Sequence, residues 1–414
     1  MNKTNVFLKT VFTILLIFTV IVFSIIFVLN QKVSDNYKVT RGENLTVEAN
    51  VPITATSKGS ALTQSDSLKT VGEVIKVDLK LFGIIPVRSV NVEIVDEMYV
   101  SLLGQPFGMK LYTHGVLVIN YTEVDTKTGK KNPAKDAGIR IGDYILSVNG
   151  NTITTNEELS EYVELSDGEP IKLELMRDGK IFYENIKPQF SSETNSYKLG
   201  LWVRDSSAGI GTLTFYSPMS NVVCGLGHGI CDSDTNELLE LESGEMVTAK
   251  ILSVTKGKDG NPGELHGQFL YNPIADIQLN CEIGVYGKLN SNIDVSRLVE
   301  VGLKQEIKDG KAQIYCTIEG ETPQYYDCTV KKRNSAYFSR EQNMVVTITD
   351  KKLLEKTGGI VQGMSGSPII QNGKLIGAVT HVLIDDSTKG YAVFAENMLE
   401  TVQSVAEEQL KEAS

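Results

Sequence analysis

The strongest constraint on the fold is a repeated alternation of apolar and polar residues between positions 199 and 394. The runs are short, and Gly, Asn and Asp separate them. Alternation with a period of two is typical of strands that bury one face, and closely spaced turns favour antiparallel sheets that close into barrels. Apolar residues then recur at helical spacing over 396–411, which predicts a C-terminal helix docked on the second barrel. The chain is therefore predicted to be mainly β.

A tight turn interrupts this pattern at residues 363–368, where the sequence is GMSGSP. Two apolar residues and an Asn372-Gly373 turn follow it. Glycines let a backbone turn sharply, so the amides of Gly363 and Ser365 can point at one developing negative charge. This arrangement is typical of a nucleophilic serine beside an oxyanion hole, and an ordinary Gly/Ser hairpin is the alternative.

His228 is the candidate base for Ser365. It lies between glycines in the sequence CGLGHGI at 224–230, and the chain contains four histidines. Serine is a weak nucleophile at neutral pH unless a neighbouring group, usually His, accepts its proton. A base that precedes the serine by a long interval is the order of chymotrypsin-type enzymes. We therefore predict a chymotrypsin-like double β-barrel peptidase domain over 197–414, with His228 on the first barrel and Ser365 on the second.

Two aspartates compete for the third catalytic role, which is to hold the imidazole tautomer and stabilise imidazolium. Asp276 follows His228 by a gap like that in chymotrypsin-type enzymes and lies between apolar residues of a predicted strand. Asp350 ends the run 345–349 and would come from the same barrel as Ser365. Spacing favours Asp276, and an ordinary strand-end carboxylate is the alternative for both.

Two further features of the peptidase half have more than one interpretation. His381 lies on the strand predicted after the nucleophile turn, where it either lines the substrate pocket or packs away from it. All five cysteines lie in this half, so at least one thiol has no internal partner. Cys224 and Cys231 bracket His228, and we favour two small buried residues over a disulfide.

Charge and motifs exclude several function classes. The net charge is −11 and no basic stripe is present, which argues against nucleic acid as a partner. Phosphate-loop, zinc and dinucleotide motifs are absent from the sequence. We therefore predict no cofactor and no metal site.

An apolar run at 11–29 is long enough to span a bilayer. Lys3 and Lys9 precede it, so the positive-inside rule keeps the short N-terminus cytoplasmic and exports the rest. A cleavable signal peptide is the alternative, but no small-x-small cleavage site follows Leu29. An uncleaved anchor over 1–29 is therefore favoured, and both alternatives export the body of the protein.

The region after the anchor divides into three parts. Residues 30–70 are rich in Ser, Thr, Asn and Lys and are predicted to form a flexible polar stalk. Alternation begins again in a β-rich segment over 71–97. Residues 98–190 are predicted to form a PDZ domain, because AGIRIGDYILSVNG at 137–150 precedes a predicted helix. Such a domain binds a peptide as an extra strand of its sheet. The terminal carboxylate of the peptide would be held by the amides near Phe107, Gly108 and Met109.

This combination of features resembles the stage IV sporulation protein B peptidases of endospore-forming Firmicutes. The resemblance covers nearly all 414 residues. Besides the apolar run and the PDZ domain, it is carried by KLFGIIPV at 80–87, GHG at 227–229, TGGIVQ at 357–362 and GMSGSP at 363–368. It implies that His228 and Ser365 are catalytic and that Asp350 is their acidic partner. We therefore place Asp350 ahead of Asp276.

The resemblance also implies a biological role. The protein would be a membrane-tethered, exported serine endopeptidase acting between the forespore and mother-cell membranes. It would cleave a membrane-bound regulator of an intramembrane metalloprotease and so lead to activation of a late sigma factor. Its partners would be the membrane, that protein substrate, and a peptide or carboxyl terminus in the PDZ groove.

Two other functions are compatible with the same features. One is a general envelope quality-control protease, although such enzymes usually place the peptidase before the PDZ domain. The other is a non-catalytic scaffold that binds peptides through its PDZ groove, against which the intact His228 and Ser365 turns argue.

Overall fold

The computed structural model describes residues 3–41, 43, 45, 47, 51–57, 60–61, 71–333 and 340–412. The chain divides into two compact units. The first combines Met1–Tyr99 with the segment Glu300–Ile307, and the second combines Val100–Val299 with Lys308–Ser414. Strands dominate both units, which confirms the predicted fold class.

The first unit begins with helix α1 (Lys3–Lys32) at the predicted apolar run. Its stretch Phe7–Asn30 is long and apolar enough to cross a membrane, and none of its most apolar window is buried against the protein. Large side chains such as Phe12 and Phe18 are more than half exposed. A membrane anchor and an N-terminal signal sequence are both consistent with this helix.

The rest of the first unit is a five-stranded sheet in the order β1-β5-β4-β2-β3. Its strands are β1 (Asn36–Thr40), β2 (Ile53–Ser57), β3 (Ser60–Ala61), β4 (Val74–Leu81) and β5 (Ile85–Val95). The prediction of a stalk over 30–70 is wrong for the first two strands, because Tyr37 and Val39 are buried in one core with Val77 and Val92. The part of the predicted stalk at 62–70 lies outside the described residues.

Residues 100–200 of the second unit contain the PDZ fold, a curved sheet covered by two helices. Its core includes the buried residues Ile139, Ile145 and Leu173. Helix α3 begins with a capping box in which Thr155 and Glu158 satisfy each other's backbone amides. Among the described residues, strand β6 (Tyr99–Leu102) precedes the domain and does not pair with its strands. The elements that follow are β7 (Pro106–Tyr121), β8 (Val124–Thr126), β9 (Gly129–Lys131), α2 (Pro133–Asp136), β10 (Tyr144–Val148), β11 (Asn151–Thr152), α3 (Asn156–Leu165), β12 (Ile171–Arg177), β13 (Lys180–Ile186), β14 (Gln189–Ser191) and β15 (Ser196–Lys198).

Two six-stranded barrels form the rest of the second unit. Barrel 1 closes in the order β7-β18-β19-β20-β17-β16 and back to β7. Strand β7 is therefore common to the PDZ sheet and to barrel 1. The remaining strands are β16 (Leu201–Ser217), β17 (Val222–Gly225), β18 (Leu241–Thr255), β19 (Glu264–Cys281), β20 (Gly284–Leu289) and β21 (Leu298–Glu300).

Barrel 2 closes in the order β22-β23-β24-β27-β26-β25. The predicted C-terminal helix, α5, follows it and contacts strands of both barrels. Its buried face includes Met398 and Val402. The elements are β22 (Gly310–Cys316), β23 (Gln324–Lys332), β24 (Met344–Ile348), α4 (Lys351–Thr357), β25 (Pro368–Gln371), β26 (Lys374–Leu383), β27 (Asp386–Phe394) and α5 (Ala395–Glu412).

Candidate active site

The predicted base loop and nucleophile turn meet between the two barrels. Gly366, with φ +94°, lies so close to barrel 1 that a Cβ there would be 2.0 Å from Thr212 O and 2.5 Å from Leu226 N. Gly227, with φ +69°, approaches barrel 2 in the same way, because its Cβ would be 3.1 Å from Val379 O. Both positions need glycine for close approach as well as for the positive φ. The glycines that flank His228 and Ser365 thus bring the two loops together.

Ser365 follows Gly363, whose φ is +92°. Its hydroxyl donates to the carbonyl oxygen of Thr380 on β26 at 2.6 Å. Within the described residues, the amides of Gly363 and Ser365 have no backbone acceptor, whereas the amides of Met364 and Gly366 both do. The turn therefore leaves free the two donors that an oxyanion would need.

Strand β16 of barrel 1 holds this turn of barrel 2 in place. Thr212 donates its amide to Ser365 O and its hydroxyl to Gly363 O, both at 2.9 Å. Thr214 donates its buried hydroxyl to Gly366 O at 2.7 Å. Because these bonds fix the carbonyls of the turn, they also fix the direction of its free amides. The alternating pattern of β16 predicted a strand and gave no sign of this role.

His228 is half-buried on the loop that meets the nucleophile turn. Its ring lies against the ring of His381, with centroids 4.3 Å apart and planes tilted by 33°. Its Nδ1 is 2.8 Å from the carbonyl oxygen of Gly229. Burial, reinforced by the neighbouring His381, lowers the pKa of His228 to about 4. The imidazole is therefore neutral at physiological pH, as a general base must be.

Neither predicted acid contacts His228 in this arrangement. Asp350 is the N-cap of α4, and its carboxylate accepts the amide of Leu353 at 2.9 Å. Asp276 lies on β19 between Glu245 and Lys288 of the neighbouring strands, and it is exposed. The structure therefore corrects the expectation that either carboxylate is already at the imidazole. Which of the two completes a triad stays a prediction.

Glu341 is the carboxylate whose charge acts on His228, and no sequence motif points to it. Its charge raises the pKa of His228, an effect smaller than the opposing effect of burial. Its backbone is fixed nearby, because Thr380 donates its hydroxyl to Glu341 O at 3.2 Å. Glu341 lies in a turn that belongs to no recognisable motif, so only the folded chain identifies it.

The cysteines of the base loop are both reduced. Cys224 is buried, as favoured from the sequence, but Cys231 is exposed, so the expectation of two buried residues is wrong for Cys231. Burial raises the pKa of the Cys224 thiol well above its usual range. Among the described residues, no group of His, Cys, Asp and Glu is arranged to hold a metal ion.

The predicted carboxylate cradle of the PDZ domain is not a loop. Phe107, Gly108 and Met109 lie inside β7, paired with β16 on one side and with β18 on the other. Their amides therefore belong to the barrel sheet, and the prediction that they bind a peptide terminus is wrong for this arrangement. The physical reason is that β7 is longer than a PDZ strand and enters barrel 1.

The assembled residues have the parts of a serine hydrolase site at rest. A serine, a neutral imidazole and two free amides converge between the barrels. The hydroxyl of Ser365 donates to Thr380, so its proton is not yet shared with His228. Rotation about the Cα–Cβ bond of Ser365 is the change that would redirect it.

Comparison with known proteins identifies two kinds of domain in this chain. A family model described as SpoIVB peptidase S55 matches residues 195–399, and a PDZ domain model matches residues 101–187. A putative zinc metalloprotease of Clostridium acetobutylicum is 35% identical over 75 residues, which are 18% of this chain and 22% of that protein. A probable periplasmic serine endoprotease of the DegP-like type from Pseudomonas putida is 34% identical over 94 residues, covering 19% and 20% of the two chains.

Among solved structures, the Rv3671c protein of M. tuberculosis is 15% identical, with a TM-score of 0.26. The match covers 48% of this chain and 83% of that one. The chain spans about a fifth of the length of the curated relatives it matches.

Proposed function

We propose that the chain is a member of the SpoIVB peptidase S55 family and a membrane-tethered, exported serine endopeptidase. The observation that carries this proposal is the convergence of Ser365, His228 and the free amides of Gly363 and Ser365 between two barrels. Helix α1 supports the tether, because it is long and apolar enough to cross a membrane.

The proposed reaction is hydrolysis of a peptide bond through an acyl-enzyme. Ser365 turns from Thr380 towards His228, which takes its proton as the oxygen attacks the peptide carbonyl. The carbonyl oxygen becomes an anion and receives hydrogen bonds from the amides of Gly363 and Ser365. Protonated His228 then gives the proton to the leaving amine. Water repeats the sequence to release the acyl group as a carboxylate.

We propose further that the substrate is a membrane-bound regulator of an intramembrane metalloprotease, cleaved in a sporulation pathway that activates a late sigma factor. The site of action would be the space between the forespore and mother-cell membranes. The match to the SpoIVB peptidase family model and the N-terminal helix support this role. An inactive resting site is suited to this role, because a signalling enzyme must not cleave before its signal arrives. In this structure the hydroxyl of Ser365 is hydrogen-bonded to Thr380 and not to His228.

Labelling with a fluorophosphonate probe tests the enzymatic part of the proposal. We expect the full-length protein in detergent micelles to be labelled slowly and Ser365→Ala not at all. Ser220→Ala, which removes a hydroxyl from the turn before β17, is the matched control and should be labelled as wild type. Equal labelling of wild type and Ser365→Ala would refute the assignment of the nucleophile.

The substrate is tested separately by co-expression with a membrane-bound metalloprotease regulator. We expect its exported part to be cleaved by wild type and to remain intact with Ser365→Ala. A labelled enzyme that leaves this regulator intact would support the peptidase and refute the proposed substrate.

A further inference from the structure

The exposed edge of a PDZ sheet is where peptide ligands bind, and here that edge is covered. The PDZ end of β7 pairs with β10 on one side through Val116 and Leu117. On the other side it pairs antiparallel with the first residues of β16, with Leu201 opposite Tyr121 and Arg204 opposite Leu117. The chain itself therefore supplies the strand that a peptide would add.

The side chains of this strand alternate as those of a bound peptide do. Leu199 is buried in the PDZ core, and Leu201 and Val203 pack against the same core. Trp202, between them, is 60% exposed. We call residues 199–204 the groove strand. Leu199, Leu201 and Val203 thus face the PDZ core while Trp202 faces outwards, and such alternation gives strand-adding recognition its specificity.

Both ends of helix α3, which flanks the groove, are bonded to the same segment. At the start of the helix, the amide of Asn156 donates to the carboxylate of Asp205 at 3.0 Å. At the other end, the carboxylate of Glu164 accepts the amide of Tyr197 at 2.7 Å. The backbone at Leu199 is held as well, since its carbonyl accepts the amide of Ala134 at 3.0 Å.

We propose that the groove strand is the resident ligand of this PDZ domain, so that an external peptide binds only by displacing it. The partner class follows from the occupant. It is an extended peptide with branched aliphatic side chains at alternate positions, matching Leu199, Leu201 and Val203. The peptide enters between β7 and α3 in the antiparallel direction that β16 takes.

The groove strand is also bonded to the base loop of the active site. Arg204 at its end pairs with the fully buried carboxylate of Asp232 and, at 2.7 Å, with Asp234. Asp232 follows His228 by four positions and belongs to the same loop. A peptide that lifts the groove strand removes the cation from this buried carboxylate, which is costly while the loop keeps its shape.

The same strand reaches the nucleophile turn. Eight residues beyond Arg204, Thr212 bonds the carbonyls of Gly363 and Ser365. Occupancy of the groove is thereby linked through one continuous strand to both halves of the site. The ligand-binding part of the proposal stands without peptidase activity, whereas this linkage rests on the proposed function.

Fluorescence polarisation with a labelled synthetic peptide of residues 197–204 tests the resident ligand. The apparent affinity of a site is reduced by the fraction of molecules in which it is open. We therefore expect full-length Leu201→Ser/Val203→Ser to bind the peptide at least tenfold more tightly than wild type. Trp202→Ser, on the outward face of the same strand, is the matched control and should bind as wild type. Equal binding by wild type and the double variant overturns the proposal.

A disulfide lock gives a second measurement, in which one protein is compared with itself in the oxidised and the reduced form. Asn120 and Trp202 are opposite each other in the register. Cysteines at both positions, introduced with Leu201→Ser/Val203→Ser and with Cys231→Ser to remove the exposed thiol, should abolish binding when oxidised and restore it when reduced. A lock at Lys110 and Ala208, which are opposite each other in the barrel part of the same pairing, should have no effect. Binding that is insensitive to the first lock also overturns the proposal.

The linkage to the site is measured by the rate of fluorophosphonate labelling. We expect saturating peptide to change the labelling rate of Ser365 at least fivefold in the double variant and to leave it unchanged in the oxidised lock. An unchanged rate in both, with peptide bound, overturns the linkage. Absence of labelling under every condition overturns the proposed function instead, while the polarisation result still decides the resident ligand.

Discussion

The two barrels carry one half of the active site each, and they are built differently. In the described part of the chain, every strand pairing of β22–β27 in barrel 2 is with another of those six strands. Barrel 1 contains β7 and β16, of 16 and 17 residues, and both continue into the PDZ domain. The sheet of barrel 2 is therefore self-contained, and barrel 1 contacts its nucleophile turn through the hydrogen bonds of Thr212 and Thr214. The base lies on a support whose shape depends on a ligand-binding domain.

The largest effect we expect is on turnover. The experiment tests whether barrel 2 supplies the catalytic acid as well as the nucleophile. Asp350→Asn preserves the cap of α4, because an amide oxygen can still accept the amide of Leu353. If Asp350 reaches His228 in the active arrangement, turnover falls about ten thousand-fold, as in the enzyme from which the triad was defined.

Asp276→Asn is the matched substitution on barrel 1 and should cleave as wild type, because Asp276 is exposed on β19. Steady-state cleavage of a peptide substrate measures both variants. Normal turnover of Asp350→Asn would leave that residue as a cap only and direct the search to Glu341→Gln.

The next effect is on stability, and it tests whether the PDZ domain and barrel 1 fold as one. The carboxylate of Asp143 is almost fully buried and receives two hydrogen bonds from Arg177, at 2.6 and 2.7 Å. Asp143→Ala removes one partner of this ion pair in the PDZ domain and should lower the free energy of unfolding by about 3–5 kcal/mol. Glu161→Ala, at an exposed position of α3, is the control and should be neutral.

Trp202 is the only tryptophan and lies on β16, so its fluorescence reports the shared strands during urea unfolding. We expect the transitions measured by Trp202 fluorescence and by circular dichroism of the whole protein to shift to lower urea together in Asp143→Ala. Two separate transitions, of which only one shifts, would show that the shared strands do not couple the domains.

A smaller effect is expected where barrel 1 holds the turn of barrel 2. Thr214→Val keeps the volume of the side chain but leaves Gly366 O without its buried donor. The loss should destabilise the protein by about 1–3 kcal/mol and slow the labelling of Ser365. Thr248→Val is the matched control, because the Thr248 hydroxyl is buried without a partner among the described residues. We expect that variant to be at least as stable as wild type, and an equal loss in both would refute a specific role for Thr214.

The smallest effect is expected in the pH profile above pH 5. Because the pKa of His228 is lowered to about 4, the imidazole stays neutral above pH 5. Titration of His228 should therefore change the rate of Ser365 labelling less than twofold between pH 5 and 7. Below pH 4 it should fall about tenfold per unit.

Protonation of His228 also predicts the direction of a stability change. Its folded-state pKa lies below the ordinary value of 6.5, so the unfolded chain binds the proton first. Stability should fall as the pH decreases from about 6.5 towards 4. An acid limb near pH 6–7 in the profile of kcat/KM would instead show that a carboxylate reaches His228 during activation.

The sequence was informative where a single local requirement decides the structure. A period of two requires strands, and the glycines around Ser365 and His228 predicted turns that the backbone confirms with positive φ at Gly363, Gly366 and Gly227. The PDZ domain was predictable from a local motif, because the sequence at 137–150 contains Ile145 of its core.

What the sequence did not predict depends on which strand pairs with which. The sequence around Phe107 to Met109 is compatible with a loop that enters a PDZ domain and with the first half of a long barrel strand. Only the pairing with β18 distinguishes these two structures. The catalytic acid could not be predicted for a similar reason. A carboxylate at a strand end, such as Asp350, serves equally as a helix cap and as a triad member, and the difference lies in side-chain placement.

The long strands also bear on the order in which this protein folds. Barrel 1 closes only when β7 meets β16, and the chain between them, 122–200, holds the rest of the PDZ domain. Bringing the ends of so long a loop together has an entropic cost that must be met before their contacts form. If the PDZ core forms first, it places Tyr121 and Leu201 side by side. The remaining residue pairs between β7 and β16 then form one after another along the two strands. The PDZ domain would then nucleate the catalytic barrel as well as control it.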